Sequence, residues 1–203
     1  ANAKDSLLIA YNASLNSLDI QRLFSEMGNF GQQTITDKNL KGQVTASVEF
    51  ASVWSKTLEV NSKKIYARSN IIIDNGELNN FDPMLKLSRF VKGTDLRNVK
   101  FSTLKNQIEI KDRKIYIPSM DIKSTALNMS VSGTHSFDNI MDYKIQMKLN
   151  QLLGNKVRNL NTEFGTIEDD GRSGMTLFLT MKGPADNPKF AYDRKGVETK
   201  ITN

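Results

Sequence analysis

Apolar and polar residues alternate with a period of two along most of this chain, and that alternation limits what it can fold into. Successive side chains of a strand point to opposite faces, so alternation marks a strand with one buried face and one wet face. The clearest run is Met141, Tyr143, Ile145, Met147 and Leu149, interleaved with Asp142, Lys144, Gln146, Lys148 and Asn150. It is expected to pair with Leu127, Met129, Val131 and Gly133 across a turn at Asp138-Asn139. The same pattern appears at Leu7 to Ala13, at Leu40 to Phe50 and on the odd positions from Ile65 to Ile73. It returns in Met175, Leu177, Leu179 and Met181, before Gly183-Pro184 breaks it.

The punctuation between these runs is that of a β protein. Asn75-Gly76 is a hairpin or bulge signal, because glycine accepts positive φ without steric cost. Ile108-Ile110 and Ile115-Ile117 flank Lys111-Asp112-Arg113-Lys114, which reads as a tight hairpin, and Pro118 is expected at a strand end or sheet edge. Two segments carry helical spacing: Leu18, Ile20, Leu23, Phe24 and Met27 after Ser17, and Leu85, Leu87, Phe90 and Val91 after the Asp82-Pro83 start signal. A weaker third helix is expected from Gln151 to Arg158. A helix followed by several strands thus occurs twice, which divides the chain into two helix-plus-sheet repeats, residues 1–80 and 81–203, with the sheet continuous across the boundary.

Composition removes several function classes. The 203 residues contain no cysteine and one histidine, His135, so neither thiolate metal sites nor imidazole-based triads have their usual ligands. The net charge of +6 comes from scattered lysines and arginines rather than a basic block, and this argues against nucleic acid as a partner. No window approaches the roughly 18 consecutive apolar residues of a membrane-spanning helix, so the chain as it stands is expected to be soluble.

Each remaining suspect has a plainer reading. His135 near Asp138 and Asp142 invites an acid-base pair, but a polar residue on the wet face or at a strand end explains it. Glu168-Asp169-Asp170-Gly171 lacks the spaced carboxylates of a calcium loop and reads as a turn. Neither Ser132-Gly133 nor Gly171-Arg172-Ser173-Gly174 has the nucleophile elbow of a serine hydrolase. Trp54 near Phe50 suggests sugar stacking, against the simpler role of hydrophobic cover. No catalytic constellation, cofactor site or metal site is expected.

The stretches Ile73-Asp74-Asn75-Gly76-Glu77-Leu78, Asn80-Phe81-Asp82-Pro83-Met84 and Ile117-Pro118-Ser119-Met120-Asp121-Ile122 resemble the C-terminal region of AsmA-like proteins of Gram-negative bacteria, particularly those of Bacteroidetes type. So does Val131-Ser132-Gly133-Thr134-His135-Ser136-Phe137-Asp138, with Leu40-Lys41-Gly42 upstream and Asn187-Pro188-Lys189 downstream. The family is related to TamB-like and bridge-like lipid-transfer proteins. The resemblance implies a β-rich periplasmic groove within a protein anchored in the inner membrane by an N-terminal helix, which this sequence lacks.

The expected fold is mainly β: a long curved antiparallel sheet, as a trough or a half-open sandwich, with two or three short amphipathic helices. So few helices cannot cover so many strands, and the excess apolar face must be buried by a second sheet or by a ligand. Alternation alone favours the sandwich, and the resemblance shifts the expectation to the trough. The expected function is non-enzymatic carriage of phospholipid or another envelope lipid toward the outer membrane, supporting envelope assembly. The expected lining is Leu127, Met129, Val131, Tyr143, Ile145, Met147, Leu149, Leu177 and Leu179. The rivals are a closed sandwich that contacts envelope proteins and a carbohydrate-binding domain around Trp54.

Overall fold

The computed structural model describes residues 6–91, 94–148 and 176–193. Among these, nine strands form one antiparallel sheet in which spatial order follows chain order from β1 to β9. They are β1 (Ser6–Asp19), β2 (Leu40–Ser55), β3 (Val60–Asn79), β4 (Asn98–Lys111), β5 (Lys114–Ile122), β6 (Asn128–Ser136), β7 (Ile140–Lys148), β8 (Thr176–Pro184) and β9 (Lys189–Tyr192). Two short helices interrupt the meander, α1 (Ile20–Glu26) and α2 (Asp82–Lys86), the latter running into a 3-10 turn at Leu87–Arg89. The sheet does not close on itself.

Strand length changes across the sheet. The 20 residues of β3 extend about 66 Å, whereas the nine of β7 extend about 30 Å. The two regions meet at a weak junction. β3 and β4 pair over twelve residues, but β4 and β5 pair only through Glu109↔Tyr116, Ile110↔Ile115 and Lys111↔Lys114. Beyond these the strands diverge until an isolated bridge, Phe101↔Ser124, joins them again. Pro118 lies within β5 at an irregularity between Ile117 and Met120, rather than at a strand end. It has no N–H to offer a ladder, which suits a stretch that has left β4.

Local chemistry sets the bends. Asp112 and Arg113 both have positive φ, the backbone of a two-residue type I′ turn, and close the β4–β5 hairpin. Asn75-Gly76 makes a bulge rather than a hairpin, since β3 continues to Asn79. Lys41 pairs with Glu77 and Gln43 with Asp74, so Asn75 and Gly76 lie opposite the single residue Gly42. A Cβ on Gly42 would sit 2.9 Å from the Asp74 carbonyl oxygen, which explains the glycine.

Both helices start slightly off their expected places. β1 runs on through Leu18 to Asp19 because Ser17 takes a positive φ and its N–H donates to Thr45 Oγ1 at 3.2 Å, which keeps the strand on β2 past a bulge. Asp19, not Ser17, caps α1, accepting from the Arg22 N–H at 2.8 Å. Phe81 occupies the cap position of α2 and Asp82 falls in its first turn, where a carboxylate favours the helix dipole. The expected helix from Gln151 to Arg158 lies outside the described residues.

The ladder registers place the apolar parity of all nine strands on one face. One row runs Tyr11, Phe50, Ala67, Ile110, Ile115, His135, Met141. Another runs Val131, Ile145, Leu179, Tyr192. The opposite face carries cross-strand polar pairs: Glu49, Arg68 and Glu109 are successive partners, and Thr103 donates to Asp74 at 2.7 Å.

Two clusters bury part of the apolar face. The larger joins Met84, Leu87, Val91, Leu96 and Val99 to the inner residues of β6, β7 and β8. The smaller packs Ile20 of α1 on Leu40, Val44 and Ala46. Leu78 packs against both. The segment after α1 also reaches the far side of the sheet, where Thr34 Oγ1 donates to Asn139 Oδ1 at 3.2 Å. Because α1 sits on the apolar side, this contact shows the sheet coiling toward that side.

Candidate functional site

The residues expected to line an open groove form the packed core instead. Leu127, Met129, Tyr143, Ile145, Met147, Leu177 and Leu179 are all buried, Met147 and Leu179 completely, and Val131 is half-buried against them. Leu149 lies outside the described residues. The reason is that Met84, Leu87, Val91 and Leu96 pack on this part of the sheet. Burial raises the Tyr143 phenol to about 12 by desolvation. Gly133, opposite Tyr143 in the ladder, has φ +149, and a Cβ there would lie 2.1 Å from the Asp142 carbonyl oxygen.

The apolar face remains uncovered elsewhere, toward the start of β1 and the loop between β2 and β3. Leu7 is 48% exposed, Tyr11 51% and Val60 41%, while Ile9, Phe50, Trp54 and Ile65 are half-buried. These residues are neighbours in register: Leu7 pairs with Trp54 and Trp54 with Val60, while Tyr11 pairs with Phe50. The Tyr11 and Phe50 rings stack at 5.0 Å. The strip then continues through Ile110 and Ile115, across the narrow junction, to the edge of the buried core. Alternation marks Leu7, Ile9, Tyr11, Phe50 and Ile65 among these positions as apolar, but not Trp54 or Val60, and it does not say which stretch a neighbouring segment covers.

A second opening sits where β4 and β5 diverge. It is an open fissure of about 450 Å³ lined by residues of β3, β4 and β5, including Ile71, Asn106 and Pro118. Asn106 Nδ2 and Ser69 Oγ, both on the apolar parity beside it, are buried without a hydrogen-bond partner.

The remaining suspects find ordinary structural partners. His135 is half-buried on the apolar parity near the end of β6, and its Nε2 lies 3.0 Å from Asn139 Oδ1. Asp138 instead binds Arg113 at 2.5 Å, and Asp142 binds Lys182 at 3.0 Å. Trp54 donates its indole N–H to Ser52 Oγ at 2.8 Å, so its polar edge is already engaged. Among the described residues, no three His, Cys, Asp or Glu side chains gather as metal ligands, and no helix is long and apolar enough to cross a membrane. Both Glu168-Asp169-Asp170-Gly171 and Gly171-Arg172-Ser173-Gly174 lie outside them.

The arrangement offers apolar contact along an extended track, with one wet face behind it. No protein-family model, no curated protein and no solved structure matches the chain.

Proposed function

We propose that this chain is a non-enzymatic trough segment of an AsmA-like, inner-membrane-anchored periplasmic protein, and that acyl chains of an envelope phospholipid or related lipid lie along its uncovered apolar strip. One observation carries the reading: the apolar face is continuous over nine strands, and packed core covers only part of it. Residues such as Leu7, Tyr11 and Val60 then hold apolar area in water, at about 25 cal/mol per Å². An acyl chain laid on the strip removes that area without any chemistry. The lipid-contact surface therefore moves from β6–β8 to β1–β5, and the residues of β6–β8 become the support that holds the track in shape.

Native mass spectrometry of gently purified protein tests the proposal. The parent should carry lipid in stoichiometric amount. The double variant Val60→Asp/Ile65→Asp, on β3 and away from the β1 edge, should lose at least about tenfold of it, the equivalent of about 1.4 kcal/mol. Unchanged lipid in a folded double variant removes the strip as the site. A parent without lipid favours the protein-contact module.

A further inference from the structure

β4 loses its neighbour in the middle of the sheet. Its residues 102–108 have no ladder partner on β5, although both strands are described throughout and close on each other at either end of the gap. Across the gap β5 bulges, with Pro118 and Ser119 standing against the single residue Ser132 of β6. The fissure opens on the wet face, because Asn70 and Gln107 are one of its facing pairs and Ile72 and Lys105 the next. Counting back from Lys111↔Lys114, the hydrogen-bonded pair that flanks the two-residue turn, Glu109 and Gln107 direct their backbone groups toward β5. The Gln107 N–H meets no strand there and donates to Asn106 Oδ1 at 2.8 Å. That arrangement leaves Asn106 Nδ2 buried without a partner. Lys105 is exposed beside it and pairs with no carboxylate among the described residues.

We infer that the fissure takes an extended peptide segment of another protein, one that alternates apolar with acidic residues and pairs with β4. Backbone chemistry selects a strand, because a strand satisfies a row of donors and acceptors along an open ladder. A carbonyl of the incoming segment takes over the Gln107 N–H, and the released Asn106 amide turns outward and ends the isolation of its Nδ2. The seven unpaired residues span about 23 Å between closed ends, so the segment enters from the wet face and pairs over a short stretch. Its alternation follows from the pleat. Every second side chain falls on the apolar face beside Leu104 and Asn106, and the others fall on the wet face beside Lys105 and Gln107. Lys105, which lacks a carboxylate, sets the sign of the charge. This pairing does not depend on what the apolar strip carries.

Two capped, dye-labelled heptapeptides test the inference on the full chain by fluorescence anisotropy, one alternating valine with glutamate and the other valine with lysine. The glutamate peptide should bind at least about tenfold more tightly than the lysine peptide at low salt. Its binding should slow amide hydrogen exchange in residues 103–108 and leave the amides of β7 unchanged. The exposed Lys105→Glu, checked for folding by circular dichroism, should abolish the preference. General attraction of an anionic peptide to a basic protein would survive that change, because the net charge falls only from +6 to +4 when one lysine becomes one glutamate. The inference is overturned if neither peptide binds up to about 1 mM, if Lys105→Glu leaves the preference as it was, or if the protection falls outside β4.

Discussion

The long-stranded region, β1 to β4, and the short-stranded region, β5 to β9, carry the same alternation, and one strand from each, β1 and β7, reach opposite outcomes. β7 shows it in its purest form, with every second residue buried and the others exposed. β1 has apolar residues at the same spacing, yet none of its residues is buried. The difference lies in what packs above. Met84, Leu87, Val91 and Leu96 meet the inner side of β6–β8, while α1 covers only the end of β2 nearest Leu40 and Val44. Alternation therefore sets which face is apolar, and covering segments set where that face becomes core.

Opposed substitutions test that contrast most strongly. Met147→Asp places a carboxylate in a site with no exposure and should cost at least about 4 kcal/mol, enough to lose cooperative folding in chemical denaturation. Val60→Asp, the same kind of change on the uncovered strip, should shift the denaturation midpoint by about 0.5 kcal/mol or less. Equal costs at the two positions would mean that the strip is core as well.

Glycine substitutions sharpen the comparison within the packed region. Gly133→Ala meets backbone at 2.1 Å in a conformation that alanine rarely adopts, and should cost about 3 kcal/mol by thermal or denaturant unfolding. Gly183→Ala has a positive φ but nothing within 4 Å, so it should cost only about 1 kcal/mol. A reversed order would contradict the close approach of β6 to β7.

Tyr143 gives a subtler signature of the buried half. Its folded pKa, about 12, stands above that of an exposed tyrosine, so the unfolded chain releases its proton first as pH rises. Its contribution is fully present below about pH 10 and is lost toward pH 12, amounting to roughly 2–3 kcal/mol. Alkaline unfolding of Tyr143→Phe should show a correspondingly shallower fall. An unchanged slope would place the phenol in water.

The strands and their inward parity were legible because Met141 to Leu149 and Leu40 to Phe50 alternate without interruption. The turn chemistry of Asp112-Arg113 was legible too, since the polar run there is short. Helix starts were displaced because Ser17 keeps its strand on β2 through a hydrogen bond 28 residues away, which local spacing cannot contain. The open lining was assigned to β6–β8 because those strands have the strongest pattern. Their burial depends on where the stripe Met84, Leu87, Val91 docks, and a stripe specifies a face but not its destination. The divergence of β4 from β5 left one trace, Pro118, which signals a missing ladder bond without saying which neighbour loses it.

That divergence makes the molecule mechanically uneven. A fabric stitched along its full width shares a load among many threads, whereas one held by three residue pairs at a seam yields there first. Thermal bending and imposed torque will concentrate at the join between Glu109–Lys111 and Lys114–Tyr116, with the Phe101↔Ser124 bridge and the hydrogen bonds between Lys100 and Thr125 as the tack at the opposite end. The two leaves can then change their relative pitch while the ladders inside each stay whole.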